Sequence, residues 1–600
     1  MSSMLRRIWW FMRTGPRPRS TVTSSLNQPT LPLPQNEPAK QQETLPHNPL
    51  VDLPLEEFLE KEYEMAWKRL LANVHPEGTA PGSVVASPSK AKPDYWYEWT
   101  RDSAIVMRTI VQRYIRSPSP SDERLIRDYI EASRIMQHKQ TVIGGFSDGG
   151  LGEVKYYVDA GDRAHEPFKG EWGRPQWDGP GSRVITMSQY ALWALEQGSD
   201  EQREFVRTVL YPGGEGERTG VIKGDLDGVA THWQKQGFDL WEEVSGIHYY
   251  TLLTLRTSLL VGSRLAAALD DADSSAHYAT VAASITPVLA RFWSPSKQIV
   301  RVTLDHAPGR ESTEENAHEG DVEYGKKSEL DVAVVLAVLH AGRETGWANL
   351  ADGEAEETAS KVLATLRSLM DEMGKLYPLN KGRRGKKEAV ALGRYPEDQY
   401  DGVGLSIGHP WYLATAGAAE FLYLLVSHLA SPSSASNGAL SSASNGALSS
   451  FPPLHGFSSS ANEGVLLTPL LHSTLLSLLP PLNPSLPPVN SHLPPSSPVY
   501  LPLLRALIAL GDSFARLIQT YVGVDGRLDE QIERDGLAHG SAKHEDGEIE
   551  DGKKEGDVVG RGARDLTWSY AAYVTLYEER KRARTRMEEL EKGKGRESHI

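Results

Sequence analysis

Apolar side chains recur with a helical period along most of this 600-residue chain, and few segments show the alternation of a β-strand. The pattern predicts about a dozen helices and therefore an all-α fold. The predicted helices lie near residues 54–73, 102–115, 122–138, 184–197, 201–210, 249–269, 274–292, 328–342, 356–373, 410–428, 502–521 and 566–583. Ser328 comes just before an apolar run and is predicted to cap the eighth of them.

Clusters of aromatic and charged residues precede alternate helices. They occupy residues 95–102 before the second helix, 172–180 before the fourth, 239–246 before the sixth, 394–398 with 409–411 before the tenth, and 564–568 at the twelfth. If the helices alternate between an outer and an inner layer of a closed ring, the inner helices all begin at one rim and these clusters line one funnel. We therefore predict a single (α/α)6 barrel domain over residues 47–583. The alternative is that the clusters only anchor loops onto a helical bundle.

Charge and composition limit the possible partners. A formal net charge of −15 disfavours nucleic acid and anionic membrane surfaces, so a neutral ligand is a better expectation. Cysteine is absent, which excludes disulfides, thiolate nucleophiles and zinc sites built on cysteine. The 18 histidines form no metal-binding motif, so we predict no metal and no other cofactor.

The first 46 residues are basic and rich in proline. Residues 1–36 carry five arginines and no acidic residue, which is typical of an organellar transit segment, although a disordered tail without targeting value has the same composition. The apolar run at 8–12 is too short for a secretory signal, and no Asn-x-Ser/Thr acceptor is present. Together with the lack of cysteine, these features favour an intracellular location and leave the compartment open.

Two glutamates, Glu242 and Glu530, lie among aromatic or amide neighbours beside predicted helices. Hydrolysis of a glycosidic bond needs one carboxylic acid to protonate the leaving oxygen and a second carboxylate on the opposite face of the sugar. The pair suggests a glycosidase. Each glutamate taken alone could equally be a solvated surface residue, because charged side chains are mostly exposed.

Several strings give the chain a resemblance to a known family. They are Asp-Leu-Trp-Glu-Glu-Val at 239–244, Gly-Arg-Tyr-Pro-Glu-Asp at 393–398 and Ala-Arg-Asp-Leu-Thr-Trp-Ser-Tyr at 563–570, with Gly-Leu-Gly-Glu-Val-Lys at 150–155. In this order, from about residue 47 to 583, the chain resembles the fungal glucoamylases of glycoside hydrolase family 15. The resemblance implies an inverting exo-hydrolase that releases β-glucose from the non-reducing ends of α-1,4-glucans and, more slowly, α-1,6-glucans.

The resemblance also implies roles for individual residues. Glu242 would be the general acid and Glu530 the general base that activates water. Substrate-binding roles would fall to Tyr95, Trp99, Arg101, Asp102, Lys155, Trp172, Asp178, Trp241, Glu243, Arg394, Asp398 and Trp411. For each of these residues, an ion pair or ring buried only for packing is the alternative. Arg564 and Asp565 are expected to be a structural pair that holds the loop of Glu530.

The chain departs from the family pattern near the general base. Gly562 stands where family members often carry serine, which puts the pKa of Glu530 and the pH optimum in question. The loop between Asp398 and His409 is longer than usual, which is expected to alter specificity at the rim.

Two insertions interrupt the helical pattern. Residues 431–498 contain a direct repeat and a Pro/Ser/Leu-rich run and are predicted to form a mobile surface linker. Residues 535–560 are acidic and poor in apolar residues, so they are predicted to be disordered; we hypothesise that they form a flap near Glu530.

The last segment, 584–600, is predicted to be a charged tail, with no starch-binding domain after it. We expect a monomeric catalytic domain that acts on soluble malto-oligosaccharides, starch or glycogen, and binds granules weakly. The rival functions are a family 15 trehalase, a glucodextranase, and a non-catalytic carbohydrate-binding relative.

Overall fold

The computed structural model describes residues 48–213, 219–304, 326–342, 354–430, 464–536 and 560–597. The predictions for residues 1–46, for the repeat within 431–463 and for the acidic segment 537–559 lie outside these ranges. The helices, in chain order, are α1 (Leu55–Ala72), α2 (Thr100–Arg116), α3 (Pro120–Gln137), α4 (Asp178–Gln197), α5 (Asp200–Phe205), α6 (Val221–His232), α7 (Tyr249–Ala268), α8 (Ala272–Ala290), α9 (Ala333–Ala337), α10 (Glu354–Leu376), α11 (Tyr412–Leu429), α12 (Pro469–Leu478), α13 (Tyr500–Tyr521) and α14 (Thr567–Glu597). A π-helical turn, Val338–Gly342, continues α9.

Six helices form a closed inner ring. Helix α2 packs on α4, α4 on α7, α7 on α9, α9 on α11, α11 on α14, and α14 returns to α2. A second layer surrounds them, in which α1, α3, α6, α8, α10 and α13 each pack on an inner helix. This is the predicted (α/α)6 barrel.

Burial follows from this layering. Helix α11 is apolar on all sides and almost wholly buried, as expected for a helix enclosed by others. By length and composition α11 would pass as a membrane span, but it lies in the core of the barrel. Outer helix α13 instead buries one leucine-rich stripe and exposes the opposite face.

Short antiparallel strand pairs shape the loops at the helix ends. The strands are β1 (Tyr97–Trp99), β2 (Lys155–Tyr157), β3 (Gly237–Phe238), β4 (Ser245–His248), β5 (Trp293–Ser294), β6 (Ile299–Val300), β7 (Thr303–Leu304), β8 (Val465–Leu466), β9 (His492–Leu493), β10 (Gln531–Ile532) and β11 (Gly560–Arg561). The β1–β2 pair places Trp99 opposite Lys155, and β4 lies between β3 and β7. The β10–β11 pair sets Gln531, the neighbour of Glu530, opposite Arg561.

The outer helix between α4 and α7 differs from the prediction. The expected helix at 201–210 is short α5 followed by a π-helical turn, Val206–Leu210, and the unpredicted α6 packs between α4, α7 and α8. Gly224 and Gly228 lower the helix propensity of α6. Both allow close packing, because a Cβ atom at either would lie 2.7 Å from Phe146 or Leu151.

The predicted linker over 431–498 is wrong for its second half. Residues 464–498 include strands β8 and β9 and helix α12, which packs on α10. Leu467, Leu471 and Leu475 of this segment are buried against the core. The Pro/Ser-rich composition concealed these leucines, whose burial depends on a distant helix.

Two predicted helix ends are also wrong. Ser328 does not cap the eighth helix: its hydroxyl donates to Glu397, and the side chain of Asp331 accepts from the backbone N–H of Ala333 at 2.8 Å. Helix α14 does not end at residue 583, because the following residues favour helix and Met587 and Leu590 pack against the core.

Candidate active site

The five clusters meet at one rim of the barrel. Each leads into an inner helix, since α2 begins at Thr100, α4 at Asp178, α7 at Tyr249, α11 at Tyr412 and α14 at Thr567. Their rings are in contact across the rim: Trp99 lies 6.2 Å from Trp172, and Trp241 lies 5.6 Å from Trp411 and 6.3 Å from Trp568, between ring centroids. The prediction that the clusters converge on one rim of the barrel is confirmed.

Glu530 is fully buried between hydrogen-bond donors. Its Oε1 accepts from the Tyr95 hydroxyl at 2.8 Å, and its Oε2 accepts from the backbone N–H of Ala563 at 3.1 Å. The Tyr400 hydroxyl lies 3.2 Å from Oε2 and 3.1 Å from the carbonyl oxygen of Gly402. Burial raises the pKa of Glu530 to about 7, while the Ala563 N–H and the Tyr95 hydroxyl act in the opposite direction by stabilising the anion.

Gly562 lets the backbone approach this carboxylate. Its φ angle is 71°, in the region that favours glycine, and a Cβ atom there would lie 2.0 Å from Oε2 of Glu530. A serine at this position would therefore require the Glu530 side chain to move. The donors of Glu530 come instead from Tyr95, Tyr400 and Ala563.

Glu242 lies on a tight turn and is partly buried. Its φ angle is 66°, which is strained for a residue with a side chain. Its Oε1 accepts from the indole N–H of Trp99 at 2.6 Å. Burial raises the pKa of Glu242 to about 7, against the opposing effect of the nearby Arg101 and Lys155 cations.

One aromatic pair connects the two glutamates. Tyr95 binds Glu530, Trp99 binds Glu242, and the centroids of these two rings are 5.3 Å apart. The carboxyl groups therefore face a shared wall although 288 residues separate them in the chain. Both can hold or release a proton near neutral pH, which is what acid and base catalysis requires.

Glu243 points into an ion-pair network beside this turn. Arg394 donates to its Oε1 at 2.7 Å, and the Tyr395 hydroxyl donates to its Oε2 at 2.6 Å. Arg394 also makes two hydrogen bonds to Asp398, at 2.6 and 2.8 Å. The pKa of Glu243 is raised, because the effect of burial exceeds the opposing effect of the Arg394 guanidinium.

A second buried network surrounds Arg101. Its Nη1 lies 2.7 Å from Oε1 of Gln176 and 3.1 Å from Asp178, and its Nη2 lies 3.1 Å from Asp102. Burial raises the pKa of Asp102, and Arg101 opposes this effect. A guanidinium between two carboxylates offers both donors and acceptors, which suits the recognition of several hydroxyl groups.

Lys155 is buried in a box of four aromatic rings. Its Nζ lies 4.0 Å from the ring centroid of Tyr97, 4.6 Å from Trp99, 4.4 Å from Phe168 and 4.1 Å from Trp172. Ring faces attract the ammonium ion. Burial nevertheless lowers the pKa of Lys155 to about 8, while Glu242 acts in the opposite direction.

The structure brings all fourteen predicted site residues into this one region. Trp411 completes the set, because its ring lies 6.1 Å from Tyr400 and 5.4 Å from the Arg394 guanidinium. In the described residues, no three His, Asp or Glu side chains are arranged as metal ligands.

Arg564 and Asp565 lie beside the loop of Glu530. The backbone N–H of Asp565 donates to Asp529 at 3.1 Å, and Arg69 of α1 binds the Asp565 carboxylate at 2.6 Å. The Arg564 side chain lies 3.7 Å from the Asp565 carboxylate and is partly exposed. Asp565 therefore connects the loop of Glu530 to α1.

Sequence reasoning missed several residues that complete the site. Tyr400 contacts Glu530, Tyr395 contacts Glu243, and the ring of Trp568 lies 5.5 Å from the Arg101 guanidinium. The two tyrosines and Trp568 fall inside or next to the quoted strings, which is a weak signal. Lys326, which binds Asp239 from 87 positions along the chain, had no sequence signal at all.

The chain is similar in sequence to known proteins. Residues 64–578 match the sequence model described as glycosyl hydrolases family 15. A glucoamylase of Blastobotrys adeninivorans is 30% identical over 513 residues, which cover 84% of this chain and 68% of that protein. The intracellular sporulation-specific glucoamylase of Saccharomyces cerevisiae is 28% identical over 536 residues, which cover 87% of this chain and 84% of that protein.

Solved structures show the same architecture. A family 15 glucoamylase from Hypocrea jecorina is 29% identical, with a TM-score of 0.66 over 88% of this chain and 72% of that one. A glucoamylase from Saccharomycopsis fibuligera, 24% identical, has a TM-score of 0.68 over 91% of this chain and 98% of that one, which bears on the fold alone.

Proposed function

The chain belongs to family 15 of the glycosyl hydrolases, and from this premise we propose that it is a glucoamylase. Such an enzyme is an exo-acting glucan 1,4-α-glucosidase that removes single glucose units from the non-reducing ends of starch, glycogen or malto-oligosaccharides. The observation that supports this most strongly is the pair of carboxyl groups, Glu242 and Glu530, held by the neighbouring side chains Trp99 and Tyr95.

In the proposed reaction, Glu242 is the general acid. Its proton goes to the glycosidic oxygen as the bond from that oxygen to the anomeric carbon breaks, so the leaving chain departs as an alcohol. A pKa raised to about 7 keeps most of the Glu242 carboxyl groups protonated at pH values below 7, which this role requires.

Glu530 is the proposed general base. It takes a proton from a water molecule, whose oxygen forms the new bond to the anomeric carbon on the face opposite the leaving group. Three donors surround its carboxylate and favour the charged form, whereas within the described part of the chain Glu242 accepts one hydrogen bond, from Trp99. The product is β-glucose, and exchange with solvent returns both carboxyl groups to their starting states.

The remaining side chains suit a neutral sugar at a cationic transition state. Arg101, Asp102 and Asp178 present fixed donors and acceptors for sugar hydroxyls, and Trp172 presents an apolar ring at the rim. Inversion needs room for water, so the carboxyl groups are expected to lie ~6.5–9.5 Å apart in the substrate complex.

A substrate panel tests this function. Purified protein is expected to release glucose from maltoheptaose and to leave trehalose intact, with free glucose measured over time. A preference for trehalose or for dextran would instead identify a trehalase or a glucodextranase. Binding of maltoheptaose without glucose release would show a non-catalytic relative.

A further inference from the structure

A buried lysine lies behind the turn that carries Glu242. Lys326 is 8% exposed, and its Nζ lies 2.9 Å from Oδ2 of Asp239 and forms a second ion pair with Asp331. Both carboxylates are fully buried. A buried charge is costly unless it is paired, so these three side chains stabilise one another only as a set.

Asp239 closes the turn on which Glu242 stands. Its Oδ1 accepts from the backbone N–H groups of Glu243 at 2.8 Å and Val244 at 3.0 Å. Its carbonyl oxygen accepts from the N–H of Glu242 at 2.9 Å. Because Glu242 has a strained positive φ, these bonds are what holds its backbone in this conformation.

Asp331 holds the residue before Glu242. Its two carboxylate oxygens accept from the indole N–H of Trp241 at 3.0 and 3.1 Å. Lys326 therefore contacts both Asp331, which binds Trp241, and Asp239, which closes the turn.

The residue after Glu242 is connected to the same lysine. The Lys326 ammonium lies 4.4 Å from the ring centroid of Tyr395, and the hydroxyl of that ring donates to Glu243 at 2.6 Å. Lys326 thus contacts Asp239 itself, Asp331, which binds Trp241, and Tyr395, which binds Glu243. None of these contacts of Lys326 is to Glu242.

We propose that Lys326 is a positioning residue for the proton donor: its charge holds Asp239 and Asp331 in place and so fixes the direction in which the Glu242 carboxyl points. This inference rests on the proposed function, in which Glu242 is the general acid. If the proposal is right, loss of Lys326 displaces the carboxyl group of Glu242 and does not weaken the binding of the sugar.

The test compares two substrates whose leaving groups differ in their need for a proton. When maltose is cleaved, its reducing-end glucose would leave as an alkoxide unless its oxygen is protonated, whereas α-D-glucosyl fluoride releases fluoride with little help from an acid. In Lys326→Met, kcat on maltose is expected to fall by about 10²-fold, the lower end of the effect of a general acid. The kcat on the fluoride is expected to stay within a few-fold of wild type, with KM little changed.

Lys327→Met is the matched control, because Lys327 is the adjacent residue and is exposed. It is expected to behave as wild type on both substrates. For a folded Lys326→Met variant, equal losses on both substrates, or no loss on either, would overturn the proposal.

Glu242→Gln separates this proposal from the assignment on which it rests. It should show the same selective loss on maltose. If Glu242→Gln instead loses both activities equally, Glu242 is not the general acid and the proposed mechanism itself fails.

A second variant covers the case in which Lys326→Met does not fold. Asp331→Asn leaves one buried cation with one buried anion, and its amide oxygen can still accept from Trp241, so it disturbs the set with less electrostatic cost. A selective loss on maltose supports the proposal, and an unselective loss or none overturns it.

Discussion

The surroundings of Glu530 determine whether its side chain is charged. Burial disfavours the carboxylate, and the donors Tyr95, Tyr400 and Ala563 partly offset that effect. As the proposed general base, Glu530 must be ionised to work and therefore depends on its donors, because each one that is lost moves its pKa further upward.

Tyr95→Phe tests this dependence. Loss of the hydroxyl destabilises the charged form of Glu530, so the pKa of the base rises and the acidic limb of the kcat/KM profile moves to higher pH by about one unit. The alkaline limb, which we assign to Glu242, is expected to stay in place. Tyr97→Phe, two residues further along the chain, is the control, and an unmoved acidic limb in Tyr95→Phe would show that the Tyr95 hydroxyl does not set the pKa of Glu530.

Glu530→Gln is expected to change stability in a pH-dependent way. The pKa of Glu530 is about 7 in the folded protein and near 4.5 in the unfolded chain, so the folded state loses stability as the pH rises between these values. At pH 8 the amide removes a penalty of up to about 3 kcal/mol and should raise Tm. At pH 4 both forms are neutral and Tm should be unchanged; the same shift at both pH values would exclude this origin.

Residues in compact strings were predictable, and residues held by long-range contacts were not. Trp241, Glu242 and Glu243 are consecutive, so their joint presence is visible in the sequence. Lys326 and Tyr400 act through contacts over 87 and 130 positions, which no local pattern encodes.

Among the helices and strands, those of the outer layer differ most from the prediction. Helix α12 packs leucines against α10, and it lies with strands β8 and β9 in a segment whose composition is typical of a linker. The long inner helices were predictable because their apolar periodicity is strong, whereas α6 and α12 are short and carry glycine or neighbouring proline.

Paired leucines in α12 test whether this segment belongs to the core. Leu475 is 3% exposed and its neighbour Leu476 is 55% exposed. Leu475→Ala is expected to lower the free energy of unfolding by about 2–4 kcal/mol, measured by urea denaturation, because it leaves a cavity. Leu476→Ala is expected to change it by less than about 0.5 kcal/mol. Equal effects would mean that α12 does not pack as described.

At the scale of the whole molecule, closure of the ring builds the site. Contacts between α14 and α2 bring the end of the domain back to its beginning, and the Tyr95 hydroxyl thereby reaches Glu530 across 435 positions. The order of the five clusters predicted this arrangement, because alternate helices of a closed ring must begin at the same rim. The detailed hydrogen bonding followed only from the packed structure, since it depends on ångström-scale distances between loops.

In the proposed mechanism, Glu242 and Glu530 act as acid and base in an inverting release of glucose. Proton NMR of maltoheptaose digestion follows the anomer of the first glucose formed and tests this directly. We predict that the wild type releases β-glucose first, and that Glu242→Gln and Glu530→Gln each lower its rate by at least about 10²-fold. Initial α-glucose, or a near-normal rate in either variant, would contradict the account.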